Sequence, residues 1–195
     1  MILNDDILKL DEALEVSRIA SSMRQTLSQD LHRRGFVIAI SGGVDSAVCA
    51  ALSVQAVGAK KVFGLLLPER DSSSLSVTRG KQVAEQLGID YEIFDIAPVL
   101  ESMGCYRWRD DAIRTVFPVY DNDWKNKLVL GGGLEGKYNF FKIVVQDPAG
   151  NVHEARLGLK EYLQIVAATN FKQRTRKTME YFHADRLNYA VIGTP

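Results

Sequence analysis

The stretch FVIAISGGVDS, residues 36–46, decides the fold, because in it an apolar run meets a turn rich in serine and glycine. The run from Phe36 to Ile40 is short and continuously apolar, which is typical of a buried strand. The residues that follow the turn, Ala47 to Leu52, are small or compatible with a helix. This order predicts a buried strand, a tight turn and the start of a helix.

The turn between these two elements has the composition of a phosphate-binding loop. Gly42 and Gly43 remove side chains where a ligand would touch the main chain, and glycine accepts a positive φ angle. The first amide N–H groups of the following helix have no partner within it and lie at the positive end of its dipole. Ser41 and Ser46 add hydroxyl donors, and Asp45 offers a hard oxygen to Mg²⁺. We therefore expect phosphate and Mg²⁺ at this loop.

Length and charge set the broad class. A chain of 195 residues suits one α/β domain. Lysine plus arginine equal aspartate plus glutamate, at 24 each, so the formal net charge is zero and no global field attracts nucleic acid or an anionic membrane. The N-terminus has Asp5 and Asp6 where a leader would be basic, and no apolar run approaches membrane-spanning length. We predict a soluble protein with neither nucleic acid nor membrane as partner.

The cysteines and histidines give no sign of a metal centre. Cys49 and Cys105 lie far apart without a CxxC pattern, so neither a zinc knuckle nor a disulfide framework is indicated. The three histidines, His32, His153 and His183, lack metal-ligand spacing. A reducing cytoplasm fits this cysteine usage best.

Helices and strands alternate through the first half of the chain. The apolar pattern predicts helices at about residues 7–34 and 46–57 and in the stretch before Gly88, and strands at 61–67 and 91–96. Strands that alternate with helices imply right-handed crossovers and a doubly wound parallel sheet in a three-layer, Rossmann-like α/β fold. Ligands bind such sheets at the carboxyl ends of the strands, where the strand order reverses. The glycine loop lies at such an end.

The alternation of strands and helices ends beyond Leu100, and we interpret residues 104–157 as an insertion that contains a β-hairpin. The hairpin strands, 140–145 and 152–157, flank the turn Asp147-Pro-Ala-Gly-Asn151. A substrate lid, an interface, a stabilising flap and a plain surface excursion all remain open for the insertion. Trp108 and Trp124 are expected to be local core.

The helical pattern resumes near Gly158 and is predicted to restart after Thr169-Asn170. One last strand follows at residues 189–193, and Thr194 and Pro195 end the chain. The predicted helix contains NFKQRTR, residues 170–176, and the strand ends in VIGT, residues 191–194.

Three motifs in this order, SGGVDS, N-x-x-x-R-x-R and V-x-G-T, resemble the ammonia-dependent NAD synthetase branch of the ATP pyrophosphatases. Enzymes of that family cut ATP between its α and β phosphates and transfer AMP to a substrate oxygen. The resemblance implies the adenine nucleotide alpha hydrolase-like fold, with ATP and Mg²⁺ as cofactors. The insertion lies outside the part of the chain that carries the resemblance.

The resemblance also implies roles for individual residues. Arg174 would contact deamido-NAD, which suits a guanidinium as a planar donor to phosphate or carboxylate. Arg174 and Arg176 could instead form only the solvated face of a helix. Asp45 would bind Mg²⁺, and no side chain is assigned as a catalytic group. The residues expected to bind ATP are Ser41, Gly42, Gly43, Val44, Asp45, Ser46 and Thr194.

The activity implied is that of an amide ligase acting in NAD biosynthesis. The carboxylate of deamido-NAD attacks the α-phosphorus of ATP, pyrophosphate leaves, and ammonia then displaces AMP. A homodimer is implied as well, and ammonia would be free or delivered by a separate donor protein, because neither cysteine has the setting of a glutaminase nucleophile. Two alternatives stay open: a sulfur-inserting ATP pyrophosphatase and a nucleotide-binding module without catalysis.

One departure from the family pattern concerns the metal. Related synthetases continue after Gly-Thr with a second carboxylate that shares the metal with the loop aspartate. This chain ends at Pro195, so we expect the C-terminal part of the family domain to be missing from it.

Overall fold

The structure, a computed structural model, describes residues 9–131 and 140–193. The chain divides into two compact units, the first comprising residues up to Asp95 and from Arg176 onward, the second Ile96–Thr175. Each unit has its own sheet and its own buried core. That the chain forms one domain stays a prediction.

The first unit is built on a four-stranded parallel sheet in the order β3-β2-β1-β7. Its strands are β1 (Phe36–Ala39), β2 (Val62–Leu66), β3 (Asp90–Ile93) and β7 (Ala190–Ile192). Its helices are α1 (Glu12–Gln25), α2 (Val44–Val57), α3 (Ser74–Leu87) and the second part of α6 (Leu159–Leu187). Strands β1, β2 and β3 follow one another towards one edge of the sheet, whereas β7 pairs with the other side of β1. The strand order therefore reverses at β1.

Helices cover both faces of this sheet. Side chains alternate along a strand, so Ile38 and Leu66 share one face, where they pack with Ala50 of α2 and Ala84 of α3. Phe63 points to the other face and stacks on the His183 ring of α6, with ring centroids 5.2 Å apart. The doubly wound parallel sheet predicted from the sequence is therefore confirmed.

The first helix is shorter than predicted. Asp11 caps its start by accepting a hydrogen bond from the Leu14 N–H at 3.0 Å, which fixes the beginning at Glu12. A π-helical turn, Thr26–Asp30, follows α1, so the helical stretch ends before Leu31. Apolar residues recur at three- and four-residue steps from position 16 to position 31. Of these, Ile19, Met23 and Leu27 are at least partly buried, whereas Val16 and Leu31 are exposed. Residues 7 and 8 of the predicted helix lie outside the described residues.

Helix α2 is buried on two sides. Ala50 packs in a cluster with Ile38 and Leu66 of the sheet, and Ala56 packs in a cluster with Ala20 of α1. Val44 and Val48 of the same helix are exposed. The third strand is also shorter than predicted, because a separate helix begins directly after Ile96.

The second unit contains a three-stranded antiparallel sheet in the order β4-β5-β6. Its elements are α4 (Ala97–Ser102), α5 (Cys105–Arg114), β4 (Lys125–Gly131), β5 (Phe140–Gln146), β6 (Val152–Arg156) and the first part of α6. Strands β5 and β6 form the predicted hairpin, whose turn is closed by the Asn151 N–H donating to Asp147 Oδ1 at 2.8 Å.

The predicted insertion includes a packed core, which a plain surface excursion would lack. Ile113, Tyr120, Ile143 and Ile165 are buried together, and Trp124 packs against them as expected. Trp108, by contrast, is 45% exposed and meets Phe171 edge to face, so its prediction as a core residue is wrong. Roles as a lid, an interface or a stabilising flap stay predictions.

Helix α6 is one continuous helix of 29 residues, so the break predicted at Thr169-Asn170 is wrong. The Thr169 hydroxyl donates to the Ile165 carbonyl oxygen at 3.0 Å, so this polar residue is satisfied without ending the helix. Phe182, an apolar residue in the second part of α6, is 60% exposed. No helix in the described ranges has the length and apolar character needed to cross a membrane.

Helix α3 packs closely against the end of β1. A side chain at Gly80 would begin 2.9 Å from Leu66 Cδ2 and 3.2 Å from the carbonyl oxygen of Ile40, closer than such atoms normally approach. Ile40 immediately precedes the loop at residues 41–46. The absence of a side chain at Gly80 therefore lets α3 support the base of that loop.

We expect Gly80→Val to destabilise the protein by about 1–3 kcal/mol, because the added methyl groups must displace Leu66 or the main chain of Ile40. Lys81→Val places the same side chain at the next, exposed position of α3 and should change stability by only about 0.5 kcal/mol. Urea unfolding of both variants measures the difference. Equal effects of the two substitutions would contradict the close packing of α3 on β1.

Candidate nucleotide-binding site

The glycine loop lies where the strand order of the parallel sheet reverses. It follows β1 directly, and β1 pairs with β2 on one side and β7 on the other. In open parallel sheets, ligands generally bind beyond the carboxyl ends of the strands, at the point where the strand order reverses. The predicted location of the loop at a ligand-binding edge agrees with this topology.

Two serine hydroxyls hold the loop in shape. Ser46 Oγ donates to the Gly43 carbonyl oxygen at 3.0 Å and accepts a hydrogen bond from the Ser41 N–H at 3.2 Å. Ser41 Oγ lies 3.1 Å from Ser46 Oγ and accepts from the Gly43 N–H at 3.3 Å. The hydroxyls predicted to face a ligand are therefore engaged within the loop, which leaves its main-chain amides as the principal donors.

The two glycines of the loop have different reasons to be glycine. Gly42 has φ of 79°, and a side chain there would collide with the carbonyl oxygen of Ser76 in α3. Gly43 has φ of −88°, and within the described part of the chain a side chain there would meet only Ser41 Oγ within 4 Å, at 3.4 Å. The fold therefore requires glycine at position 42 but not at 43, where the missing side chain leaves space above the loop.

The first turn of α2 opens onto that space. Gly43 is the N-cap and provides no side-chain hydrogen bond, and the first helical bond runs from the Ala47 N–H to the Gly43 carbonyl oxygen at 3.2 Å. The amides of Val44, Asp45 and Ser46 precede that bond and have no acceptor within the helix. They form a positively polarised group of donors at an exposed helix end, which suits a phosphate.

Asp45 is the loop's single carboxylate, and it is exposed in the first turn of α2. Among the described residues, no group of three or more histidine, cysteine, aspartate or glutamate side chains could enclose a metal ion. Mg²⁺ is commonly held by one or two carboxylates together with water and substrate phosphates, so a single exposed carboxylate beside a phosphate site fits that ion.

The structure separates the two arginines of the N-x-x-x-R-x-R motif. Arg176 belongs to the first unit, where its Nε donates to the Leu67 carbonyl oxygen at 3.4 Å, just beyond the carboxyl end of β2. Arg174 is exposed and belongs to the second unit, and its role stays a prediction. Thr194 lies outside the described residues.

A charged pair at the same edge of the sheet was missed by the sequence reasoning. Lys177 Nζ donates to Glu180 Oε2 at 2.7 Å and lies 3.4 Å from the point where a side chain at Gly193, the residue after β7, would begin. Glu180 is only 2% exposed, and this burial raises the pKa of its carboxyl group, although the Lys177 hydrogen bond acts in the opposite direction. In sequence, a lysine and a glutamate three positions apart indicate no more than a solvated helix face.

The raised pKa of Glu180 predicts a pH dependence of stability. An acid whose pKa is higher in the folded state favours folding most below its ordinary value of 4.5, and this contribution falls as pH rises through the folded pKa. Glu180→Gln cannot ionise, so the free energy of unfolding of the parent minus that of the variant should fall as pH rises above 4.5. Urea unfolding of both proteins from pH 4 to 8 measures it, and a difference that grows with pH would contradict this assignment.

Comparison with known proteins adds independent information about the chain. The family model described as NAD synthase matches residues 15–117. The NH(3)-dependent NAD(+) synthetase of Rhizobium meliloti is 50% identical over 196 residues, a match that covers 100% of this chain and 58% of that protein. The synthetase of the same name from Thermotoga maritima is 36% identical over 169 residues. That match covers 85% of this chain and 54% of the Thermotoga protein.

Solved structures show the same fold. The NH3-dependent NAD synthetase of Campylobacter jejuni superposes with a TM-score of 0.59 at 19% identity, covering 95% of this chain and 57% of that one. The NAD+ synthetase of Burkholderia pseudomallei superposes with a TM-score of 0.55 at 18% identity. The match covers 96% of this chain and 64% of that one. The chain thus spans less than two thirds of the length of the relatives it matches.

Proposed function

Because the chain belongs to the NAD synthase family, we propose that it binds ATP at residues 41–46 and acts in the amidation of deamido-NAD by ammonia. The proposal rests on one observation above all: Gly43 has an ordinary backbone conformation, and among the described residues only Ser41 Oγ lies within 4 Å of the point where its side chain would begin. Since the described part of the fold does not require glycine there, a bound ligand is the reason we propose for it. The names of the matched relatives support ammonia as the nitrogen donor and give no support to the sulfur-inserting alternative.

In the proposed reaction, the carboxylate of deamido-NAD attacks the α-phosphorus of ATP, and ammonia then displaces AMP from the acyl-adenylate. The amides of Val44, Asp45 and Ser46 would bind the phosphates and oppose the negative charge that grows on departing pyrophosphate. Mg²⁺, when bound, would supply further neutralisation of that charge. Much of the remaining rate enhancement would come from holding the two substrates close together in the orientation that the reaction requires.

Asp45 is proposed as the Mg²⁺ ligand because it is an exposed carboxylate beside the amide donors. Arg174, as an exposed guanidinium in a motif of the family, is proposed to contact the acceptor substrate, and Thr194 is proposed to contact ATP. A homodimer, ammonia that is free or supplied by a separate donor, and a cytoplasmic location belong to the same proposal.

Gly43→Val tests the ATP site. We expect the variant to fold like the parent, because its side chain meets no main chain, and to bind ATP roughly tenfold more weakly or worse, because it crowds the amide donors. Calorimetric titration with ATP measures the loss. Val48→Ala, on an exposed face of the next turn of α2, is the control and should leave the affinity unchanged. A folded Gly43→Val protein with the affinity of the parent would refute the assignment.

Asp45→Asn tests the metal ligand separately from the phosphate site. The amide keeps the shape of the side chain and loses its charge, so ATP binding without Mg²⁺ should persist while the gain in affinity on adding Mg²⁺ shrinks. Titrations with and without Mg²⁺ give that gain for the parent, for Asp45→Asn and for the control Asp30→Asn, an exposed carboxylate after α1. An equal gain in Asp45→Asn and the parent would identify Asp45 as a turn residue only.

A further inference from the structure

A cavity of about 620 Å³ lies in the first unit at the edge of the sheet opposite the glycine loop. Lys61 and Tyr189, which line it, immediately precede β2 and β7, and Arg34 lies just before β1. We call it the amino-edge cavity, because all three strands begin there. Five residues lie between Gly35 and Ser41. Six steps of extended chain span about 20 Å, so the cavity and the loop are distinct places.

The charge of the amino-edge cavity is one-sided. Among the described residues, no aspartate or glutamate lines it, whereas four cationic side chains do: Arg24, Arg33, Arg34 and Lys61. The chain as a whole has a formal net charge of zero, so this is a local excess of positive charge. Like charges gathered around one space repel each other, and an anion within that space would turn repulsion into attraction.

Groups that carry no formal charge position two of these cations. Arg24 Nη1 donates to the carbonyl oxygens of Ala56, at 3.2 Å, and Gln55, at 3.3 Å, near the end of α2. Arg33 Nη1 donates to Asn188 Oδ1 at 2.8 Å. Within the described ranges, none of the four cations forms an ion pair, so their attraction for an anion remains available.

The walls of the amino-edge cavity suit an organic group. The Tyr189 ring lies against Gly35, with ring atom Cζ 2.7 Å from the point where a side chain at Gly35 would begin, so only glycine leaves room for the ring. Leu27, Val57 and Leu187 provide aliphatic surface in the same cavity. Ligand pockets generally combine apolar walls with a few polar anchors, and here all the charged anchors are cations.

We propose that the amino-edge cavity is a second binding site, separate from the loop, for a small organic phosphate such as a nucleoside monophosphate. The arginine and lysine side chains would bind the phosphate through charge-assisted hydrogen bonds, and the tyrosine and leucine side chains would contact the organic part. The proposal does not depend on the function assigned to the glycine loop, because none of the residues that line the cavity belongs to that loop.

Calorimetric titration of the whole chain with AMP tests this site, in a Gly43→Val background that suppresses binding at the loop. The variant Arg34→Ala/Lys61→Ala should weaken AMP binding by roughly tenfold or more, because two charge-assisted contacts are lost. Lys60→Ala/Lys81→Ala removes the same charge at positions that do not line the cavity and should cost less than about twofold. Leu187→Ala should weaken binding of AMP and leave that of inorganic phosphate unchanged.

Three results would overturn the proposal: no saturable AMP binding in the Gly43→Val protein, no weakening by the cavity variant, or an equal weakening by the control variant. The third result would mean that AMP binding depends only on the overall charge of the surface and not on the cavity. Failure of the loop assignment would appear differently, as unchanged ATP affinity in Gly43→Val, and would leave the comparison between the cavity and control variants intact.

Discussion

The position of β1 between β2 and β7 is the constraint on which the rest of the first unit depends. β1 and β2 are neighbours in sequence, whereas β7 comes from the far end of the chain, so β1 joins segments that are remote from each other. The strand order reverses there, and the loop after β1 opens at the reversal. Helix α3 fixes the base of that loop, because Gly80 allows contact with Ile40 and Gly42 allows contact with Ser76. The loop is therefore shaped by the core of the fold before any ligand arrives.

The two edges of the parallel sheet offer an anion different partners. At the carboxyl edge the donors are main-chain amides of α2, which are dipoles held in place by the helix itself. At the amino edge they are long cationic side chains, two of which are held by neutral oxygen acceptors. Amides give a fixed geometry that suits reaction, whereas side chains give stronger charge with more freedom, which suits binding alone. With a formal net charge of zero, the chain concentrates its attraction for anions locally.

Much of the first unit could be predicted from the sequence, because its strands are short, continuously apolar runs bounded by turn residues. Predictions failed where tertiary contacts override local pattern. Thr169 resembles a helix break, yet its hydroxyl bonds to the preceding turn and the helix continues. Trp108 has a large apolar side chain of the kind found in cores, yet its position on α5 leaves it 45% exposed. Leu31 continues an apolar period, but the helical stretch ends before it.

The location of the candidate site could be predicted from the sequence, but the roles of its individual residues could not. The composition of the loop indicated phosphate, but only the structure distinguishes Gly42, which the fold requires, from Gly43, which it does not. The serine hydroxyls, predicted as ligand donors, are engaged within the loop. Lys177 and Glu180 look like a surface pair in sequence. The position of Lys177 beside Gly193 and the burial of the Glu180 carboxylate depend on how α6 lies on the sheet. Such features depend on residues distant in sequence, which a local pattern does not encode.

The central claim is that the amides at the start of α2 bind the phosphates of ATP. It is tested most directly by nuclear magnetic resonance of the ¹⁵N-labelled chain titrated with ATP and Mg²⁺. We expect the largest changes in amide chemical shift at Val44, Asp45 and Ser46, with the saturation behaviour of a single site. Saturable binding that leaves these three amides unchanged and shifts others would contradict this assignment.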